Sequence, residues 1–325
     1  MTTRYADRRV LVLGGLGFVG MHLTNALLDA GAGVTVVTRS RARHLESAVA
    51  FESRGARVIE GDVRDADAMR AAVDGQRVIF NLAGESGAVA SMQDPAADLD
   101  VNCRGALTVL EAIRRHNPAA LLVFTGSRLE YGRPSQMPVP EDSRMAPLCL
   151  HAVHKLMVEE YLAVYRRVYG TRSVVARLTN PYGPGQPESR VAYGVVNRLV
   201  HLALERQALP IYGDGAQQRD YIYVGDAVEA LLAIGDADAL AGSTYNIGSG
   251  VGTRLVDMAA RIIEQAGGGR VEFAPWPELA LQIETGDFVA DISRAAGDLG
   301  WRPRVSLDEG LRRTVAFYRA GAARS

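Results

Sequence analysis

Val10-Leu-Val-Leu13 runs straight into Gly14-Gly-Leu-Gly-Phe-Val-Gly20, and the reading of this stretch decides the fold. The apolar run is short and bounded by glycines, which predicts a buried strand. Phe18 to Asp29 carries a helical pattern closed by Gly31. The glycines satisfy both G-x-G-x-x-G (Gly15, Gly17, Gly20) and G-x-x-G-x-x-G (Gly14, Gly17, Gly20). Glycines permit the tight turn and let backbone N–H groups approach a pyrophosphate. The helix N-terminus adds partial positive charge, and the last glycine lets helix and strand pack closely. The stretch therefore predicts a nicotinamide dinucleotide site, with Gly14, Gly17, Phe18 and Val19 as contacts.

Outward from this unit the chain alternates strands and helices. Strands are expected at Val34–Thr38, Arg57–Glu60, Arg77–Asn81, Leu121–Thr125 and Ser173–Leu178. Helices are expected at Asp65–Val73, Ala97–His116 and Leu150–Tyr169. This rhythm implies an α/β fold, a Rossmann-type doubly wound parallel sheet. Asn180-Pro-Tyr-Gly-Pro-Gly-Gln-Pro187 reads as a loop by composition. Beyond it lie a helix (Val195–Glu205), short strands near Ile211 and Tyr221, and a helix at Asp226–Ile234. The expected division is a dinucleotide-binding domain over 1–178, with about 217–240 returning to it. Residues 179–325 form a smaller, interleaved α/β lobe for the substrate.

The 325 residues carry 36 basic and 37 acidic side chains, so no basic footprint for nucleic acid is present. The longest apolar runs, such as Ala119–Phe124, are strand-sized, and no basic amphipathic anchor is seen, so no membrane partner is expected. Met1–Arg9 is polar and leads directly into a strand, unlike a signal peptide. Cys103 and Cys149 make no disulfide framework, which suits a cytoplasmic setting.

An NAD enzyme usually carries Asp or Glu at the end of the second strand, to accept the ribose hydroxyls. Thr38 stands there, followed by Arg39, Arg41 and Arg43. Arginines suit a 2′-phosphate, so the cofactor reads as NAD(P), leaning toward NADP(H).

Further segments make the chain similar to the extended short-chain dehydrogenase/reductases, in particular their nucleotide-sugar epimerases and dehydratases. Gly61-Asp62-Val63-Arg64-Asp65 resembles the family's adenine-contacting segment, which implies Asp62 and Val63 as contacts. Asn81-Leu82-Ala83-Gly84 resembles the N-L-A-A segment along the cofactor. Asn102 matches the helix asparagine that steadies the active site, and Thr179 falls among the implied cofactor contacts. Ser127 in Ser127-Arg-Leu-Glu-Tyr131-Gly132 stands where the catalytic Ser or Thr would be. The family's Y-x-x-x-K is His151-Ala-Val-His154-Lys155 here: the lysine is kept and the tyrosine is replaced. On the substrate side, the resemblance implies that Asn180 and Arg219 contact the nucleotide diphosphate and that Tyr212 lies in the nucleoside clamp. Asp287 stands where an R-x-G-D aspartate takes the ribose, but the arginine of that motif is Glu284.

Positions i and i+4 share a helix face, so Lys155 lies beside residue 151. Imidazole titrates near neutrality, and cationic neighbours hold it neutral, so His151 is a candidate general base. Competing readings leave His151 as a space-filling hydrogen-bonder, with Glu85, Glu130, Cys149 or the substrate itself as acid/base. His154 is expected to face solvent, and the two histidines do not form a zinc-site pattern, so no metal is expected. Three functions follow. The first is a nucleotide-sugar epimerase working by transient oxidation, with a UDP-sugar as first guess. The second is an unusual dehydratase or isomerase. The third is a catalytically silent binder of both nucleotides. The family's habit of pairing two long helices implies a homodimer.

Overall fold

The computed structural model describes residues 5–85, 87–186 and 194–322; the start of the Met1–Arg9 segment and Pro187 lie outside them. The strands are β1 (Arg9–Leu13), β2 (Gly33–Thr38), β3 (Arg57–Glu60), β4 (Val78–Asn81), β5 (Leu121–Ser127), β6 (Arg172–Leu178), β7 (Asn180–Tyr182), β8 (Ala208–Tyr212), β9 (Gln218–Tyr223), β10 (Thr244–Ile247), β11 (Gly252–Arg254) and β12 (Arg270–Ala274). The helices are α1 (Phe18–Asp29), α2 (Leu45–Ser53), α3 (Ala66–Val73), α4 (Ala88–Gln93), α5 (Pro95–Leu99), α6 (Gly105–His116), α7 (Leu150–Tyr169), α8 (Val195–Leu204), α9 (Val224–Asp236), α10 (Leu255–Ala266), α11 (Glu278–Gln282), α12 (Ser293–Leu299) and α13 (Leu307–Ala322). Contacts divide the chain into two compact units. The first holds Met1–Glu130, Cys149–Arg177 and Val228–Tyr245; the second holds Tyr131–Leu148, Leu178–Ala227 and Asn246–Ser325.

The first unit is built on a seven-stranded sheet in the order β10-β6-β5-β4-β1-β2-β3. β1 pairs in parallel with β2 on one side and β4 on the other. The strand order thus reverses at β1, the kind of switch point where open α/β sheets bind ligands. Val10, Leu11, Val12 and Leu13 are fully buried. Burial on both faces is why these strands read as unbroken apolar runs. Leu11, Leu13, Ile79, Leu122 and Val175 share one core with Met69 of α3, Val109 and Ile113 of α6, and Val158 and Leu162 of α7.

Two local expectations differ from the structure. The helix expected over Ala97–His116 is instead α5, a π-helical turn at Asp100–Arg104, and then α6. Pro95 at the first turn and the Asp94 carboxylate, which accepts from the Ala97 N–H at 3.0 Å, start α5 separately. The wide turn carries Asn102 and Cys103, both buried. Asn180–Tyr182, a loop by composition, is an edge strand in the order β11-β9-β7, paired in parallel with β9. An edge position tolerates Pro181, which has no N–H to give to a ladder.

In the second unit, β12 pairs in parallel with β8. Leu209 and Ile211 pack with Leu199 of α8, Met258 and Ile262 of α10, and Leu311 of α13. Nothing in the composition of Tyr131–Leu148 marks it for this unit, but Asn246 ties it there. The Tyr131 hydroxyl donates to Asn246 Oδ1 at 2.7 Å, Asn246 Nδ2 donates to the Val139 carbonyl at 2.8 Å, and the Asn246 N–H donates to Glu141 Oε1 at 2.9 Å. Tyr131 and Val139 pack there with Phe288 and Ala290. Asn246→Ala removes these side-chain bonds, and a longer one from Nδ2 to the Asp291 carbonyl, from a buried place and is expected to destabilise the protein by about 2–4 kcal/mol. Urea titration, read as a lower midpoint with unchanged slope, checks this.

Candidate active site

The glycine turn is crowded backbone. Gly14 has φ +78°, where side chains are strained, and a Cβ there would lie 2.9 Å from the Ala83 nitrogen. A Cβ at Gly20 would lie 2.2 Å from the Gly14 carbonyl oxygen. The cradle therefore accepts no side chains at these two positions. Gly17, the N-cap of α1, is extended and gives no side-chain cap. The N–H groups of the first turn are left to an anion, as a pyrophosphate site requires. Phe18 and Val19 open the helix, half-buried. Asp62 is fixed by Arg64, whose Nη2 lies 2.6 Å from its carboxylate, and this bond holds the Asp62 pKa below its ordinary value. Val63 is buried beside it. These residues fit a dinucleotide.

At the end of β2, Arg39 and Arg41 are held in ion pairs. Arg39 Nη2 lies 2.6 Å from Glu85 Oε1, and Arg41 Nη2 lies 2.5 Å from Glu52 Oε2. Thr38 Oγ1 accepts from the Ser40 N–H at 3.4 Å.

The residues brought together beyond the cradle centre on α7. The His151 N–H, on the first turn, donates to Ser91 Oγ of α4 at 3.0 Å. Its Nδ1 stands 3.5 Å from Asp98 Oδ2 of α5, and makes no aligned hydrogen bond among the described residues. His154 Nδ1 lies 2.6 Å from Asp98 Oδ1, which also accepts from Asn102 Nδ2 at 2.9 Å. Asp98 is 3% exposed. Burial pushes its pKa up, but the two histidines and Asn102 outweigh that and hold it at about 2. Burial pushes the His151 pKa below its ordinary 6.5, and the charge of Lys155 adds to this against the opposing pull of Asp98. Lys155 Nζ donates to the Thr125 carbonyl at 3.0 Å, and burial lowers its pKa. A side chain at Gly84 would meet Asn102 Oδ1 at 2.4 Å and Lys155 Nζ at 3.6 Å, so the N-L-A-G segment passes directly over this group.

Ser127 ends β5, its N–H bonded to Glu130 Oε1 at 2.7 Å and its Oγ accepting from the Leu129 N–H at 3.2 Å. Glu130 is fully buried, with Arg177 Nε 3.3 Å away; burial and the neighbouring Glu159 push its pKa well up. The Glu85 carboxylate is held by Arg39, while its backbone carbonyl accepts from Asn102 Nδ2 at 3.3 Å. Cys149 is buried at the N-cap of α7, and burial raises its pKa.

His154 does not face solvent as the sequence suggests. It is buried on Asp98, because α5 and the π turn pack on the start of α7. Asp98 belongs to no motif in the sequence. Its only signal was the i, i+4 spacing to Asn102, and nothing in the sequence shows that α5 meets α7.

In the second unit, Asn180 Nδ2 donates to the Asp220 carbonyl at 2.8 Å. Arg219 is bound on several sides: Nη1 donates to the Gln218 and Gly286 carbonyls at 2.9 and 2.5 Å, and Nη2 to the Glu284 carboxylate. Asp287 Oδ1 accepts from the Gln218 N–H at 2.7 Å. Tyr212 packs on Trp276 with ring centroids 5.4 Å apart. Thr179 Oγ1 donates to the buried Asp220 at 3.3 Å. Among the described residues no cluster of His, Cys, Asp and Glu could hold a metal ion, and no helix is long and apolar enough to cross a membrane.

The chain is similar to known proteins over nearly its whole length. The UDP-glucose 4-epimerase of Mycolicibacterium smegmatis is 33% identical over 319 residues, covering 96% of this chain and 98% of that protein. The solved UDP-glucose 4-epimerase of Thermotoga maritima, with UDP-glucose, superposes with a TM-score of 0.87 at 29% identity, covering 97% and 99% of the two chains. That of Thermus thermophilus, in complex with NAD, gives 0.85 at 30% identity over 96% and 99%. Residues 10–248 match the family described as NAD dependent epimerase/dehydratase. With its parallel sheet and this match over most of its length, the chain belongs to the NAD-dependent epimerase/dehydratase family.

Proposed function

We propose that this protein is a UDP-sugar epimerase that oxidises the sugar transiently, with His151 as its acid/base. The observation that carries the reading is His151 itself, buried on the first turn of α7 with Lys155 one turn further along the same face. When bound, the dinucleotide supplies a reversible hydride acceptor. His151, kept neutral by burial and by Lys155, takes the proton of the sugar hydroxyl and later returns it. The N-terminal position on α7 works in the same direction, since the helix dipole disfavours an imidazolium there. Ser127 hydrogen-bonds the reacting hydroxyl, and Lys155 holds the cofactor ribose. Glu85 we assign to Arg39 rather than to proton transfer, because that pair is already formed.

Asn180 and Arg219 hold the diphosphate, Tyr212 the nucleoside and Asp287 its ribose. A diphosphate reaching Arg219 would compete with Glu284 for the guanidinium. The cofactor we assign as NAD(H), against the lean of the sequence toward NADP(H). A 2′-phosphate would have to compete with Glu85 for Arg39 and with Glu52 for Arg41. The two buried free cysteines are compatible with the cytoplasm. Leu107 of α6 and Val164, Val168 and Tyr169 of α7 are exposed, which supports a homodimer through these helices.

With UDP-galactose and NAD, wild-type protein should form UDP-glucose. Turnover should fall on the acid side as His151 gains a proton below its ordinary 6.5. His151→Phe should lose at least about 100-fold in kcat, and undiminished turnover would remove the acid/base assignment. In a fluorescence titration NADH should bind at least about tenfold more tightly than NADPH; the reverse order would restore the NADP(H) reading. Light scattering at micromolar concentration should give the mass of two chains, and a monomer would contradict the pairing of α6 and α7.

A further inference from the structure

We infer that Asp98 is the positioning residue of the site: it holds His151 Nδ1 as a donor and so leaves Nε2 as the basic nitrogen. The inference rests on the acid/base reading of His151 above. The geometry carries it. Asp98 is buried, and its two oxygens are divided between two sets of neighbours. Oδ1 is fixed by His154 Nδ1 at 2.6 Å and by Asn102 Nδ2 at 2.9 Å. Oδ2 is left facing His151 Nδ1 at 3.5 Å. The His151 backbone is anchored independently by Ser91. Only a modest approach of the ring is needed to make the bond, and catalytic hydrogen bonds commonly tighten when substrate binds.

A carboxylate can only accept, so it selects the tautomer with the proton on Nδ1. The proton of the sugar hydroxyl then passes to Nε2; NAD⁺, when bound, would supply the hydride acceptor that balances this oxidation. The imidazolium keeps its Nδ1 proton on Asp98, which stays ionised throughout. Nε2 later returns its proton to the sugar oxygen, whichever face of the carbon has been reduced. His154 and Asn102 hold the carboxylate still; the groups facing His151 are Asp98 from α5, His154 and Lys155 from its own helix, and the neutral Ser91 from α4.

The test uses the full chain with NAD, UDP-galactose as substrate, and ¹⁵N NMR of labelled histidine, His151 being assigned by its loss in His151→Phe. In wild type, neutral His151 should carry its proton on Nδ1; a proton on Nε2 would overturn the inference without any variant. Asp98→Asn presents an amide N–H to the ring, so the tautomer should invert. Its kcat should fall by about 10²–10⁴-fold with KM little changed, and the acid limb of the residual activity should move to lower pH. An unchanged kcat and pH profile would overturn it, as would a loss of kcat with the tautomer unmoved, which marks a merely structural residue. Full turnover in His151→Phe would remove the acid/base reading itself. An inactive His151→Phe beside a fully active Asp98→Asn would remove only the part of Asp98.

Discussion

Backbone packed directly against backbone is the constraint on which the rest depends. Between Gly14, Gly20 and Ala83 there is no room for a side chain. That closeness seats the end of β1, the start of α1 and the segment after β4 in one place. It also leaves the N–H groups at the start of α1 without a side-chain cap, so the same crowding that fixes the fold prepares the anion site. β1 lies at the strand reversal, buried on both faces, and the site inherits the rigidity of the sheet's centre.

A second principle governs the chemistry. Charge is taken out of water only where partners are supplied in the same move. Asp98 enters the interior with two imidazoles and an amide around it. Lys155 enters with a backbone carbonyl to donate to and the ring of Phe124 4.8 Å away. Arg177 enters with Glu159 and Glu130. Arg219 in the second unit is treated likewise, by Glu284 and two carbonyls. In this last case the partner is a carboxylate with a fifth of its side chain exposed, so the pair stands nearer to solvent than the others.

Much of this was legible in the sequence, for identifiable reasons. The strand, glycine turn and α1 were readable because each depends on neighbours close in the chain. α7 was readable end to end, since twenty residues of one periodicity leave little doubt. The π turn was not, because a single widened turn barely disturbs the apolar period of a helix. β7 was not, because an edge strand containing proline is made by its partner rather than by its own propensity. Ser127, Lys155 and Arg219 could be placed through a resemblance. Asp98 could not, since it matters only through the packing of α5 on α7. The occupation of Arg39 by Glu85 was equally hidden, as the two stand 46 positions apart.

The buried group of Asp98, His151 and His154 also constrains how this site can change by mutation. Removing both histidines while keeping the aspartate strands an anion in the interior. Removing the aspartate leaves two imidazoles and an amide without their acceptor. Either change leaves a buried partner unsatisfied, so substitutions at Asp98, His151 and His154 are expected to be non-additive. What is tolerated at one of the three therefore depends on what stands at the other two, across α5 and α7.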